Sequence, residues 1–344
     1  MTSQKHATTL IRPWLSDLKA GYNKNINSPP TYFLHSPSTS LITNSNLHSL
    51  HLGTGESIYN SLLSLLESAN EEVILVTCFW AVSSTQKLVN DALRKLSEKG
   101  QQRGRKIRSS MHLPNPQELE GLDLQVKSIF LLPFSVMHPK FIIVDRKVAV
   151  LPSCNVSWED WFEGAVTLTG PVVSCFVDLW REFWAQPEDR DELLNRSADS
   201  ELEDIISMTP QQQQQAHLPV HAPLDLKDIP TIFLPSPHNR NPSFRLPWQT
   251  SAPPPPTPLN TFFLRSLASA ETEIYIQTPN LTAPPVLTAI LRTLHRGINI
   301  HIVTSEKLMI LEQLVTAGTT TSRCISKLIT KSRSWLCKTR QLED

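Results

Sequence analysis

A chain of 344 residues is long enough for two modest domains, each with its own core. Its 32 basic and 32 acidic side chains cancel, so no global field draws a polyanion, which makes nucleic acid an unlikely partner. Five cysteines form no Cys-x-x-Cys pair, against a zinc site or disulfide framework, and no window reaches the roughly 18 apolar residues that a spanning helix needs.

The N-terminus lacks the apolar core of a secretory signal, so the expected location is intracellular, cytoplasmic or peripheral on a membrane. Residues 1–54, rich in Ser, Asn, Pro and Thr, read as an irregular segment apart from Tyr32-Phe33-Leu34. From Ser57 onward Ile58, Leu62, Leu65 and Leu66 recur at helical spacing. Glu71 and Glu72 introduce VILVTCFW (73–80), a continuous apolar run that reads as a buried strand. Leu88, Val89, Ala92, Leu93 and Leu96 mark a second helix, closed near Gly100. KSIFLLPF (127–134) and FIIVD (141–145) are two further apolar strands, and RKIRSSMHLPNP (105–116) offers only a strand stub. Helices alternating with such strands predict a layered α/β lobe over 55–186.

A polar stretch, 187–226, containing the run Gln211–Gln215, predicts a solvated linker, and SAPPPPTP (251–258) a semi-rigid spacer. Residues 227–344 predict a second, incomplete α/β lobe with a helix at 284–295, strand INIHIVTS (298–305) and a helical run from Leu308 to Val315. The cationic tail from Arg323 reads either as an amphipathic basic helix at a membrane surface or as a solvated terminus.

Two pairs of segments repeat. PTYFLHSP (30–37) returns as PTIFLPSP (230–237), and SANEEVILVT (68–77) returns as SAETEIYIQT (269–278). Their offsets are 200 and 201 residues, one register, which predicts an internal duplication.

The chemistry-bearing segment is MHPKFIIVDRKVAVLPSCN, with His138, Lys140, Asp145, Ser153 and Asn155 at fixed spacing. Alternation along an extended chain puts His138 and Lys140 on one face. A neutral imidazole can attack phosphorus while an ammonium holds the non-bridging oxygens. Ser153 and Asn155 offer further hydrogen bonds to those oxygens. Trp158-Trp161 and Trp180-Phe183-Trp184 read either as core or as a lipid-facing lining, and Glu159 and Asp160 either as partners of Lys140 or as solvated acids.

On these residues the chain resembles the phospholipase D superfamily, whose signature is HxKxxxxDxxxxxxGSxN; Pro152 stands at the glycine. SWEDWFEG (157–164), IYIQTPNLTAPPVL (274–287) and TSEKLMILEQLVTAGTTT (304–321) look like its fungal, phospholipase D/nuclease or cardiolipin-synthase-like branch. The resemblance spans about residues 50 to 325. It implies a phospholipase D-like layered α/β sandwich, one complete lobe plus an incomplete second lobe related by duplication. It also implies a metal-independent reaction without cofactor, in which two half-sites face each other and one histidine becomes a phosphohistidine. His138, Lys140 and Asp145 would be the catalytic set, with Lys140, Ser153 and Asn155 binding phosphate and Ser153 and Asp145 orienting the site.

Register 201 places a second His-x-Lys pair near 339 and its aspartate near 346, past residue 344, and none of His217, His221, His238, His295 and His301 is followed two residues on by lysine. Three readings follow. One is a phosphodiesterase or phosphatidyltransferase of glycerophospholipids, completed by a homodimer; another is a nuclease using the same histidine; the third is an inactive member acting as a binding protein.

Overall fold

The computed structural model describes residues 2–24, 33, 37–102, 107–109, 116–127, 137–185, 220–237 and 255–343. The chain divides into two units. A terminal unit comprises Met1–Thr31, Leu131–Val136 and Leu234–Asp344, and a motif unit comprises Tyr32–Phe130 and Met137–Phe233. Helix α1 (Thr2–Lys24) opens the terminal unit.

The motif unit runs α2 (Pro37–Ser40), β1 (Ile42–Gly53), α3 (Gly55–Ser68), β2 (Val73–Val76), α4 (Ser84–Gln102), β3 (Ile107–Ser109), β4 (Leu122–Leu124), β5 (Phe141–Val144), β6 (Val148–Pro152), β7 (Glu163–Thr169), α5 (Val172–Phe183) and β8 (Val220–Ile232). Six strands form one sheet in the order β2-β5-β6-β7-β1-β8, every neighbouring pair antiparallel. β3 and β4 form a separate parallel pair.

Both faces of the central strands are covered, which is why they read as unbroken apolar runs. Val73 and Leu75 of β2, Ile142 and Val144 of β5, and Val148 and Val150 of β6 join Ile58, Leu62 and Leu96 from α3 and α4 in one core. Ile74, Val76, Phe141, Ile143 and Ala149 point the other way, onto Val173, Phe176 and Val177 of α5. Phe176 sits between Phe141, at 5.6 Å, and Phe233, at 4.9 Å edge-on. Each such pair adds about 0.5–1.5 kcal/mol beyond its buried area.

Local chemistry fixes the helix ends. The Thr54 hydroxyl accepts from Ser57 N–H at 3.3 Å to start α3, and Lys99 Nζ donates to the carbonyls of Glu67, Ser68 and Ala69 to close it. A β-carbon on Gly55 would stand 3.3 Å from Cys154 Cβ, so the first turn of α3 lies close against the segment after β6.

In the terminal unit α1 packs on α6 (Pro258–Ser269): buried Trp14 donates to Thr261 Oγ1 at 3.0 Å and meets Phe262 edge-on at 5.4 Å. Strand β9 (Glu273–Gln277), α7 (Pro284–His295), parallel strand β10 (Asn299–Val303), α8 (Ile310–Ala317) and α9 (Thr321–Glu343) follow. Leu267, Leu281, Ile290 and Leu328 form the core.

Several expectations need correction. Residues 1–54 are not an irregular segment: they hold α1 and the twelve-residue strand β1. Val220–Leu226 are not linker but the first part of β8, because β1 has a second edge whose backbone groups they pair. Residues 227–232 accordingly lie in the motif unit rather than in a lobe starting at 227. The rest of the linker, 187–219, and 128–134 of the run KSIFLLPF lie outside the described residues. Strand β2 stops at Val76 because the Thr77 hydroxyl bonds Phe79 O at 3.0 Å and turns the chain. No helix of the described residues is long and apolar enough to cross a membrane.

Candidate active site

Residues 137–140 run without regular structure into β5, and their alternation brings His138 and Lys140 together. Lys140 is buried, and its Nζ lies 3.0 Å from His138 Nδ1 and 3.3 Å from Nε2. An ammonium only donates, so the ring must present a lone pair, and the contact selects the neutral imidazole. His138 is open to solvent on its surface yet hemmed in by neighbouring atoms. That partial desolvation, and next the Lys140 charge, hold its pKa below the ordinary value, with Glu159 opposing. Burial also lowers the Lys140 pKa, against the pull of Cys78, Glu163, Cys154 and Glu159.

Strand β6 delivers Ser153 and Asn155. Pro152 pairs with Ala165, and the ladder continues one residue past it through Ser153 N–H to Gly164 O at 2.8 Å. The Ser153 hydroxyl donates to the Glu163 carboxylate and accepts from Gly164 N–H at 2.9 Å. It is therefore spent on holding Glu163, which in turn faces the Lys140 charge. Asn155 has a buried Oδ1 with no hydrogen-bond partner. A buried orphan of this kind is costly, and a ligand donor, or a turned carboxamide facing an anionic oxygen, relieves it. Between these two, Cys154 is packed inward, its thiol pushed up to about 12 by burial, so it is a neutral packing group rather than a nucleophile.

Asp145 is not brought to this pair. It stands at the other end of β5, beyond a four-residue strand of about 13 Å. There it begins a tight turn in which Asp145 (φ 48°) and Arg146 (φ 54°) are both left-handed. Its carboxylate accepts backbone N–H bonds from Asn70, Glu71 and Glu72 at 2.8–3.2 Å, tying the turn to the loop between α3 and β2. Arg146 adds an ion pair to Glu72 at 2.8 Å.

Glu163 and Cys78 were not evident beforehand. Glu163 becomes visible only once β7 is known to lie beside β6, and Cys78 only once the segment after β2 is known to turn toward Lys140. Glu159 does face His138 and Lys140, while its carboxylate accepts from Ser157 Oγ; Asp160 is exposed. The aromatic clusters split. Trp180 is buried and Trp184 packs on Phe141 at 6.2 Å, whereas Trp158 and Trp161 are 69% and 36% exposed. Among the described residues no group of three or more His, Cys, Asp and Glu is placed to hold a metal ion.

No protein-family model and no curated protein matches the chain. Solved structures are similar at low levels. NucT from Helicobacter pylori is 19% identical over 38% of this chain and 92% of its own, with a TM-score of 0.28. The phosphatidylserine synthase of Haemophilus influenzae is 10% identical over 80% of this chain and 66% of its own, with a TM-score of 0.45. Nuc from Salmonella typhimurium, described as a phospholipase D family member, is 17% identical over 39% of this chain and 93% of its own, with a TM-score of 0.27.

Proposed function

We propose that the chain is a member of the phospholipase D superfamily, of its fungal phospholipase D/nuclease or cardiolipin-synthase-like branch, and that it cleaves or exchanges a glycerophospholipid phosphodiester through a phosphohistidine at His138. The observation that carries this reading is the 3.0 Å contact of a buried Lys140 ammonium with a His138 ring kept neutral by its surroundings. Phosphate oxygens draw the Lys140 ammonium off the ring and are held by it together with Asn155, and the ring nitrogen so freed on His138 attacks phosphorus. The bond to the leaving alcohol breaks, and that alcohol takes a proton from the His138 of a second copy, which enters the reaction as imidazolium. Water or another alcohol gives its proton back to that second ring as it displaces the first His138 from phosphorus, so both rings are restored. The exposed Phe79 and Trp158 flank Cys78 and Glu159, the neighbours of Lys140 and His138, and suit a substrate with apolar chains.

The proposed duplication is supported by matched details at the 201-residue offset. Helices α3 and α6 end at Ser68 and Ser269, followed by extended caps at Ala69 and Ala270. Thr77 and Thr278 each bond the carbonyl two residues on, at 3.0 and 2.9 Å. Ala69 O and Ala270 O, which are at that offset, each accept from a cation, Lys99 and Arg296, although the two cations are not themselves a pair in the register. Ile74 and Val76, covered by α5, correspond to the exposed Tyr275 and Gln277 on β9.

Hydrolysis of bis(p-nitrophenyl) phosphate and phosphatidylglycerol in EDTA tests the reading. The expected result is activity that His138→Ala lowers by on the order of 10³-fold or more. A folded wild-type chain without activity would favour an inactive family member acting as a binding protein, a reading motivated by the single His-x-Lys pair.

A further inference from the structure

Helix α8 is built inside out. Its one buried residue is Gln313, while Leu311 and Val315 are 79% and 63% exposed, with Ile310 and Leu314 beside them also open. This orientation is locked by hydrogen bonds. Gln313 Nε2 donates to Asn280 Oδ1 at 2.6 Å and to Leu308 O at 2.8 Å, and Gln313 Oε1 accepts from Thr321 N–H at 2.7 Å. The helix cannot roll its apolar side inward without leaving a buried carboxamide unpaired, a cost of roughly 1–3 kcal/mol. A helix whose polar residue is anchored and whose aliphatic residues face outward presents those residues to something other than its own core.

The next element says what. After the left-handed Gly318, α9 starts at Thr321, and its exposed Arg323, Lys327 and Lys331 recur every four residues along one side, with Arg333 nearby. Between Thr321 and Ser334 the sequence has these four cations and no acid, in a chain whose total charge is zero. Cys324 and Leu328 of the same helix are buried, which holds the basic stripe in place. Aliphatic side chains that stand clear of the fold, joined by one short turn to a fixed row of cations, match the two requirements of an anionic bilayer: apolar insertion and headgroup attraction.

We propose that α8 and α9 form a docking surface for a membrane rich in anionic phospholipid. The surface uses none of the half-site residues and goes beyond the catalytic reading: it supplies the chain with a membrane address whether or not His138 turns over substrate.

The test is flotation of the full chain with vesicles of phosphatidylcholine alone and with about one third phosphatidylglycerol. Binding is expected to the anionic vesicles only, and to weaken at high salt. Lys327→Gln with Lys331→Gln should weaken it about 30-fold, the worth of two cations at such a surface. Leu311→Ser with Val315→Ser should weaken it about 100-fold. All four positions are exposed, so circular dichroism should be unchanged. Equal binding to both vesicle types, or wild-type binding by either double variant, overturns the proposal. So does a Leu311→Ser, Val315→Ser chain that changes from dimer to monomer with unaltered flotation, since the face is then a contact between copies. Failure to float, with DNA binding that depends on Lys327 and Lys331 alone, overturns it in favour of nucleic acid. Flotation needs no turnover: an inactive chain that floats sinks the catalytic reading alone, and an active chain that stays down sinks only the docking surface.

Discussion

Replacing Asp145 by asparagine separates a structural from a chemical role for the third residue of the His-x-Lys-x4-Asp spacing. Oδ1 accepts from Asn70, Glu71 and Glu72 at 3.2, 2.8 and 2.9 Å, and Oδ2 from Asn70 at 2.9 Å. Asparagine keeps the shape and tolerates the left-handed φ of 48°, so the backbone is not strained by the change. What is lost is the charge and one acceptor. Hydrogen bonds to charged groups contribute about 1.5–3 kcal/mol and neutral ones about 0.5–1.5, and solvent weakens the difference at this partly exposed site. The expected cost is about 2 kcal/mol for Asp145→Asn. Asp145→Ala loses every contact and also the short polar side chain that eases a positive φ, for about 4 kcal/mol.

Guanidinium unfolding followed by circular dichroism measures these losses, and amide exchange at residues 70–72 locates them. Turnover of bis(p-nitrophenyl) phosphate is read under conditions where each variant is folded. Faster exchange at the three amides with turnover near wild type is the expected outcome. Unchanged stability and exchange with turnover abolished would refute the reasoning, because Asp145 would then act on the chemistry without holding the loop.

The pH dependence of the half-site follows from the depressed His138 pKa. Because the folded chain protonates this ring at lower pH than the unfolded chain does, the associated stability is present above the ordinary histidine value of 6.5 and lost as pH falls through the folded one. The acid limb of kcat/KM, and the imidazole titration by NMR, should therefore lie below 6.5. Lys140→Met should move both upward without restoring the ordinary value, since burial is the larger cause, and Glu159→Gln should move both down; a midpoint at or above the ordinary value would contradict the assignment. Gly121→Ala would place a β-carbon 2.0 Å from Ser97 O, a backbone atom of α4, so the turn before β4 must shift. A loss of about 3 kcal/mol in chemical unfolding is expected, and a variant as stable as wild type would refute the close approach.

What could be read from residues alone divides along a physical line. β2 and β5 were legible because helices cover both faces and every position must be apolar. β1 was not, although it is the longest-paired strand beside β8: its buried positions include Ser45, Ser49 and His51 rather than aliphatic residues. Ser45 is satisfied by Thr231 Oγ1 across the ladder at 2.7 Å, a partner 186 residues away that no local pattern reveals. Helix α1 hides for a related reason, since only Trp14 and Leu18 of its described side chains are buried and two positions do not make a period. In the site, the His138–Lys140 pairing needed only alternation along an extended segment. The orientation of Glu163, the orphaned Asn155 Oδ1 and the anchoring work of Asp145 each depend on strands or loops that meet only in the folded chain.

The spacing itself then acquires a mechanical meaning. Lys140 and Asp145 bracket β5, and the four residues between them form the strand. One end of that strand carries the His138–Lys140 pair and the other is fastened to the loop at 70–72, while Val73↔Val144 and Val76↔Phe141 set the register between. Adding or removing one residue would flip the alternation, sending Ile142 and Val144 to the face of Phe141 and Ile143 and turning His138 and Lys140 with them. The fixed distance in the motif is thus a ruler for the sheet: Asp145 fixes where β5 ends, and the pleat of β5 fixes where the ammonium of Lys140 meets the ring of His138.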